Sequence, residues 1–115
     1  MTITLFHNPR CSKSRAALAL LRERGVEPIL VEYLNTPPSR EELRRIVKFL
    51  DIPPHDLLRR GEPEYRELGL EDPSVDDEAI FAAIAEHPIL LERPIAIAGQ
   101  HAVIGRPPER VLELL

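Results

Sequence analysis

A chain of 115 residues is enough for one compact domain and too short for two, since single domains cluster near about 100–150 residues. With 43% hydrophobic and 30% charged residues it has enough apolar surface to offset chain entropy, which excludes a disordered polyelectrolyte despite twelve prolines. The net charge of −4 and pI of about 5.6 argue against a protein that grips polyanions, so no nucleic acid is expected as partner.

Thr2-Ile3-Thr4-Leu5-Phe6 is short, apolar and β-branched and runs into the turn signal Asn8-Pro9, so the first element is a strand. From Ser12 to Arg24 the pattern changes to helix formers, with Ala16, Ala17, Leu20 and Leu21 on one face and Gly25 as the stop. Pro28–Leu34 reads as the next strand, broken by Asn35-Thr36-Pro37-Pro38. Two strands flanking one helix predict a right-handed βαβ unit with parallel strands.

Ser39-Arg40-Glu41-Glu42 is a capping-box signature and opens a helix to about Leu50. Asp51–Asp72 is too interrupted by Pro53, Pro54, Gly61, Pro63 and Gly69 for one long helix. Asp76–Glu86 is helical again, with Ile80, Phe81, Ile84 and Ala85 on one face, and His87-Pro88 stops it. Pro94–Ala98 and His101–Ile104 around Gly99-Gln100 read as a β-hairpin, and Pro107 suits the first turn of a last helix through Val111, Leu112 and Leu115. The order βαβ, helices, ββα is the thioredoxin-like arrangement: an α/β fold with a mixed four-stranded sheet, a single domain over 1–115 and a helical insertion at about 39–90.

No apolar run reaches the roughly 18–20 residues of a membrane-spanning helix; Ala16–Leu21 and Ala79–Ala85 are of core-helix length. Met1–Phe6 meets His7, Asn8, Pro9 and Arg10 without the basic and apolar regions of a signal peptide, so a cytoplasmic protein with no membrane partner is expected.

Chemistry concentrates at Cys11. A single cysteine cannot close an intramolecular disulfide or build a Cys-rich zinc module, so it is either small apolar filler or a functional thiol. Its position at the start of the first helix, after a polar loop and before Ser12-Lys13-Ser14, favours the second. Helix N-termini present unpaired N–H groups and about half a positive charge, and thiols placed there or beside cations ionise at roughly pH 3.5–7.5 instead of about 8.5. His7, Ser14 and Arg15, with Arg10 and Lys13, are the local candidates to tune the thiolate. Of the fifteen basic residues only Lys13 and Lys48 are lysine; the arginine excess is compatible with a small-anion site, although most arginines read as surface charge. His7, His55, His87 and His101 lack metal-ligand spacing, so no metal is expected.

His7-Asn8-Pro9-Arg10-Cys11-Ser12-Lys13-Ser14-Arg15 resembles the His-Asn-Pro-x-Cys-x-x-Ser-Arg motif of the ArsC family of arsenate reductases, in the glutaredoxin-coupled class and in the branch with Ser-Lys-Ser-Arg after the cysteine. Tyr33–Pro38, Leu57–Arg60, Glu67–Leu70, His87–Leu90, Glu92–Ile95 and Gly105–Pro107 follow in the family's order. The resemblance implies Cys11 as nucleophile, Arg59, Arg93 and Arg106 as the arsenate-binding arginines, and a cis bond before Pro94. It implies reduction of arsenate to arsenite through a Cys11 thioarsenate, with glutathione as co-substrate, glutaredoxin as partner and no tightly bound cofactor. Two alternatives stay open: a glutathione-dependent thiol oxidoreductase with a non-arsenical substrate, and a partner-binding regulator of the Spx-like kind. The regulators carry a second cysteine where Ser14 stands.

Overall fold

The computed structural model describes Thr2–Leu115, which contact density divides into two compact units. One comprises the residues up to Thr36 together with Arg93–Leu115; the other is the intervening Pro37–Glu92.

In the first unit, β1 (Thr4–Phe6), α1 (Ser12–Glu23), β2 (Ile29–Val31), β3 (Ile95–Ala98) and β4 (His101–Ile104) form a four-stranded sheet in the order β2-β1-β3-β4. β1 and β2 are parallel, with Leu5 beside Leu30; β1 and β3 are antiparallel, with Leu5 beside Ala96; β3 and β4 form the antiparallel hairpin. This is the mixed sheet of the thioredoxin-like α/β fold that the element order implied. Its core joins Ile3, Leu5, Ala17, Leu18, Leu21, Ala96, Ala98, Val103 and Val111.

Three details differ from the sequence reading. α1 buries Ser14, Ala17, Leu18 and Leu21 most deeply, with Ala16 and Leu20 half-buried beside them, and polar Ser14 is held inward by hydrogen bonds with His7 and Asn8. β2 is shorter than Pro28–Leu34: the Asn35 and Thr36 N–H groups both donate to the Glu32 carbonyl, so the chain turns early and Tyr33 is fully buried while Ile29 and Leu30 remain exposed on the edge strand. The last helix is a 3-10 helix, Pro108–Leu114, with Pro107 ahead of its first turn. Two adjacent prolines contribute no N–H, and the first bond closes over three residues, from Arg110 N–H to the Pro107 carbonyl. This helix packs on α1 and β4 through fully buried Val111.

The inserted unit contains α2 (Arg40–Leu50), a 3-10 helix Pro54–Leu57, α3 (Pro63–Glu67), α4 (Asp77–Glu86) and a 3-10 helix Pro88–Leu90. Both arms of the Ser39/Glu42 capping box are present, and the Asp76 side chain caps α4 by accepting from Ala79 N–H. α4 packs on α2 and both 3-10 helices, burying Ile80, Phe81, Ala83 and Ile84 and leaving Ala85 at the rim. Among the described residues one isolated antiparallel bridge joins Leu58, after the first 3-10 helix, to Leu91 near the end of the unit. Arg22, Arg44, Arg60, Arg66 and Arg110 pair with exposed carboxylates, as the surface-charge reading of the arginines requires, and such pairs contribute little stability. Among the described residues no helix is long and apolar enough to cross a membrane.

Leu5 is fully buried at the centre of the sheet, whereas Ser39 stands on the surface at a helix start. Leu5→Ala is expected to cost about 2–5 kcal/mol through lost burial and the cavity left behind, against about 1 kcal/mol for Ser39→Ala through loss of the cap. Urea unfolding of the two variants measures both; equal costs would contradict this placement of the core.

Candidate active site

The turn between β1 and α1 is built by Asn8. Its side-chain oxygen accepts from Arg10 N–H at 3.0 Å and its carbonyl accepts from Cys11 N–H at 2.9 Å, which ends the turn with Cys11 in extended backbone as the N-cap of α1. Arg15 N–H then donates to the Cys11 carbonyl at 3.0 Å, the first bond of the helix. The turn signal read at Asn8-Pro9 is this turn, closed by the Asn8 side chain.

Cys11 is half-buried, and burial pushes its thiol up. The Ser14 and Lys13 backbone N–H groups and the charge and hydrogen bond of Arg93 pull the other way and outweigh it, so the thiol lies below its ordinary value. The two N–H groups act on the sulfur without closing a side-chain cap. Ionisation here therefore rests on the helix terminus and one guanidinium together.

His7 and Ser14 form a buried pair behind this turn. His7 Nδ1 is 3.0 Å from Ser14 Oγ, which also accepts from Asn8 N–H at 3.0 Å. The Asn8 N–H occupies one lone pair of the serine oxygen; the second lone pair and the hydroxyl proton let it meet Nδ1 as acceptor or donor, according to the imidazole tautomer. Burial lowers the His7 pKa, with Glu32 opposing and Arg22 and Arg15 reinforcing. Arg15 turns its guanidinium onto the Pro9 carbonyl at 2.9 Å, bracing the turn.

Arg93 and Pro94 stand at the entrance to β3, and the peptide between them is cis. The Arg106–Pro107 peptide is cis as well, which the sequence reading did not anticipate. Arg106 Nε donates to the Arg93 carbonyl at 2.8 Å, so Cys11, Arg93 and Arg106 form one connected group. Arg59 belongs to the inserted unit. Its N–H donates to the Leu90 carbonyl at 2.8 Å and its guanidinium pairs with Glu62 at 2.8 Å, both side chains being only about one-fifth exposed. Glu62, three residues beyond Arg59, is the partner that sequence reasoning missed. Among the described residues no three His, Cys, Asp or Glu side chains gather into a metal site.

The model of the ArsC family matches residues 6–114. The chain belongs to the ArsC family. Within it, the chain is 49% identical to the arsenate reductase of Neisseria meningitidis serogroup A over 98% of this chain and 97% of that one. It is 45% identical to the arsenate reductase of Haemophilus influenzae over the full length of both. The solved structure of arsenate reductase from Vibrio cholerae superposes with a TM-score of 0.98 at 48% identity, covering 100% of this chain and 98% of that one.

The depressed His7 pKa makes stability pH-dependent. A histidine that resists protonation when folded contributes stability that is fully present above its unfolded pKa, near 6.5, and is lost as pH falls through that value toward the lower folded one. The urea midpoint of the protein is expected to drop between pH 7.5 and 5.0 by more than that of His7→Asn, whose amide can replace Nδ1 without titrating. Equal losses in the two proteins would remove His7 as the cause.

Proposed function

We propose that this protein is an arsenate reductase in which Cys11 is the nucleophile and glutathione with glutaredoxin supplies the electrons. The observation that carries the reading is the half-buried Cys11 thiol, its pKa lowered by the start of α1 and by Arg93, in a chain 49% and 45% identical to two relatives named arsenate reductase. Arsenate is a tetrahedral oxyanion with several acceptor oxygens, and planar guanidinium groups satisfy such a ligand better than ammonium groups do. Arg93 and Arg106 would bind it beside the sulfur, and Arg59 is the third arginine that the family resemblance assigns to the anion.

In the first step the Cys11 thiolate forms an S–As bond, and one arsenate oxygen leaves as water after taking up protons. The arginines hold the negative charge on the remaining oxygens. Glutathione thiolate then attacks the thioarsenate, and collapse of that adduct releases arsenite. Arsenic gains two electrons, and the Cys11 and glutathione sulfurs lose one each as they join in a mixed disulfide. The overall change is arsenate plus two thiols to arsenite, one disulfide and water. Cys11 is the only cysteine of the chain, so the mixed disulfide is opened by an external thiol, the task assigned to glutaredoxin and further glutathione. A reducing compartment such as the cytoplasm is the setting this cycle requires.

The test is arsenate-dependent NADPH oxidation with glutathione, glutaredoxin and glutathione reductase. Cys11→Ser is expected to abolish turnover. Arg59→Ala, Arg93→Ala and Arg106→Ala are each expected to lower kcat/KM for arsenate by about 10–150-fold, the equivalent of one lost charge-assisted contact of about 1.5–3 kcal/mol. Arg110→Ala, which loses only a surface pair with Glu113, serves as the unaffected control. Turnover surviving in Cys11→Ser overturns the mechanism. No turnover by the unaltered protein, with a reactive Cys11, overturns arsenate as substrate and favours a non-arsenical thiol oxidoreductase.

A further inference from the structure

The peptide that carries Arg93 is held from behind by the exit of β4. Gly105 N–H donates to the Pro94 carbonyl at 2.8 Å, and Arg106 Nε donates to the Arg93 carbonyl at 2.8 Å, so consecutive residues of one segment take consecutive carbonyls of the other. Gly105 is buried, and a Cβ at its position would lie 2.8 Å from Cγ of the Pro94 ring and 3.1 Å from Cγ1 of Val111. Neither neighbour is the free end of a flexible side chain. The Pro94 ring is bonded to its own backbone nitrogen, so moving it moves the Arg93–Pro94 peptide. Val111 is fully buried in the core, on the 3-10 helix that packs against α1. Gly105 does not have a positive φ, so what it supplies is space and not a special backbone conformation.

We propose that Gly105 and Arg106 are positioning residues: by holding the Pro94 and Arg93 carbonyls, and with Gly105 leaving the Pro94 ring uncrowded, they keep the Arg93 guanidinium against the Cys11 sulfur. Arg106 thereby acquires a second task beside its contact with the anion. The inference rests on the reading of Cys11 as the reacting atom, but it is measured on the thiol alone, so the absence of arsenate turnover would leave it standing.

The experiment is the pH dependence of Cys11 alkylation by iodoacetamide in the full chain, for the unaltered protein, Gly105→Ala, Arg93→Ala and the double variant. Gly105→Ala is expected to raise the alkylation midpoint toward the ordinary thiol value of about 8.5, and Arg93→Ala to raise it at least as far. The double variant is expected to match Arg93→Ala, because Gly105 acts only through that guanidinium. An unchanged midpoint in Gly105→Ala, or a further rise in the double variant, overturns the proposal. A purely structural role would lower the unfolding midpoint and leave the alkylation midpoint in place. Should Gly105→Ala not fold, Arg106→Lys keeps the charge but loses the Nε–H bond to the Arg93 carbonyl. Its midpoint is expected to rise as well, and an unchanged one overturns the proposal.

Discussion

The Cys11 sulfur sits under two opposed influences. Burial disfavours its charge, while the start of α1 and the Arg93 guanidinium favour it, and the second pair wins. Both conditions suit the proposed role of Cys11 as a nucleophile that meets an oxyanion. A fully exposed thiolate would have its charge solvated by water and face a diffuse anion, whereas a deeply buried thiol without the helix and the cation would stay protonated. Much of the first unit can be understood as the means of keeping that balance.

Two sets of contacts maintain it from opposite sides. On the N-terminal side, Asn8 shapes the turn, Ser14 Oγ accepts from the Asn8 backbone, and His7 occupies the same hydroxyl from the interior, so the helix start cannot rotate without breaking buried hydrogen bonds. On the other side, the β4 exit grips the Arg93 and Pro94 carbonyls. Unpaired buried polar groups cost about 1–3 kcal/mol each, which gives both sets rigidity as well as geometry. The sheet joins the two sides, since β1 leads into the cysteine turn, β3 follows Pro94, and the two strands are paired in the centre of the sheet.

The architecture was legible where one local signal decided the outcome. Ser39 followed by Glu42 gave a capping box, Gly99-Gln100 gave the hairpin turn, and the change from β-branched residues to helix formers after Pro9 placed Cys11 at a helix start. Legibility ended where tertiary contacts overrode local pattern. The apolar spacing in α1 did not announce that polar Ser14 would be fully buried, because its partners His7 and Asn8 lie a turn away in the loop. Nor could the run Pro28–Leu34 show that Tyr33 would be drawn into the interior and end the strand early. At the site, the family resemblance named Arg59, Arg93 and Arg106 but not the groups that hold them. Glu62 on Arg59 and the Arg93 carbonyl under Arg106 are contacts that only the folded chain supplies. Gly105 shows the limit most clearly, since its role lies in what is missing behind the Pro94 ring.

Arsenate reduction at Cys11 is a covalent change at one atom, and its most direct test is intact-protein mass spectrometry after incubation with arsenate and glutathione in the absence of glutaredoxin. With glutathione kept near stoichiometric and no glutaredoxin to open the mixed disulfide, the protein is predicted to accumulate one glutathione adduct on Cys11. The adduct should appear only when arsenate is present and should yield one arsenite per protein. A chain that stays unmodified under these conditions, or one that gains glutathione equally without arsenate, would contradict arsenate reduction at Cys11.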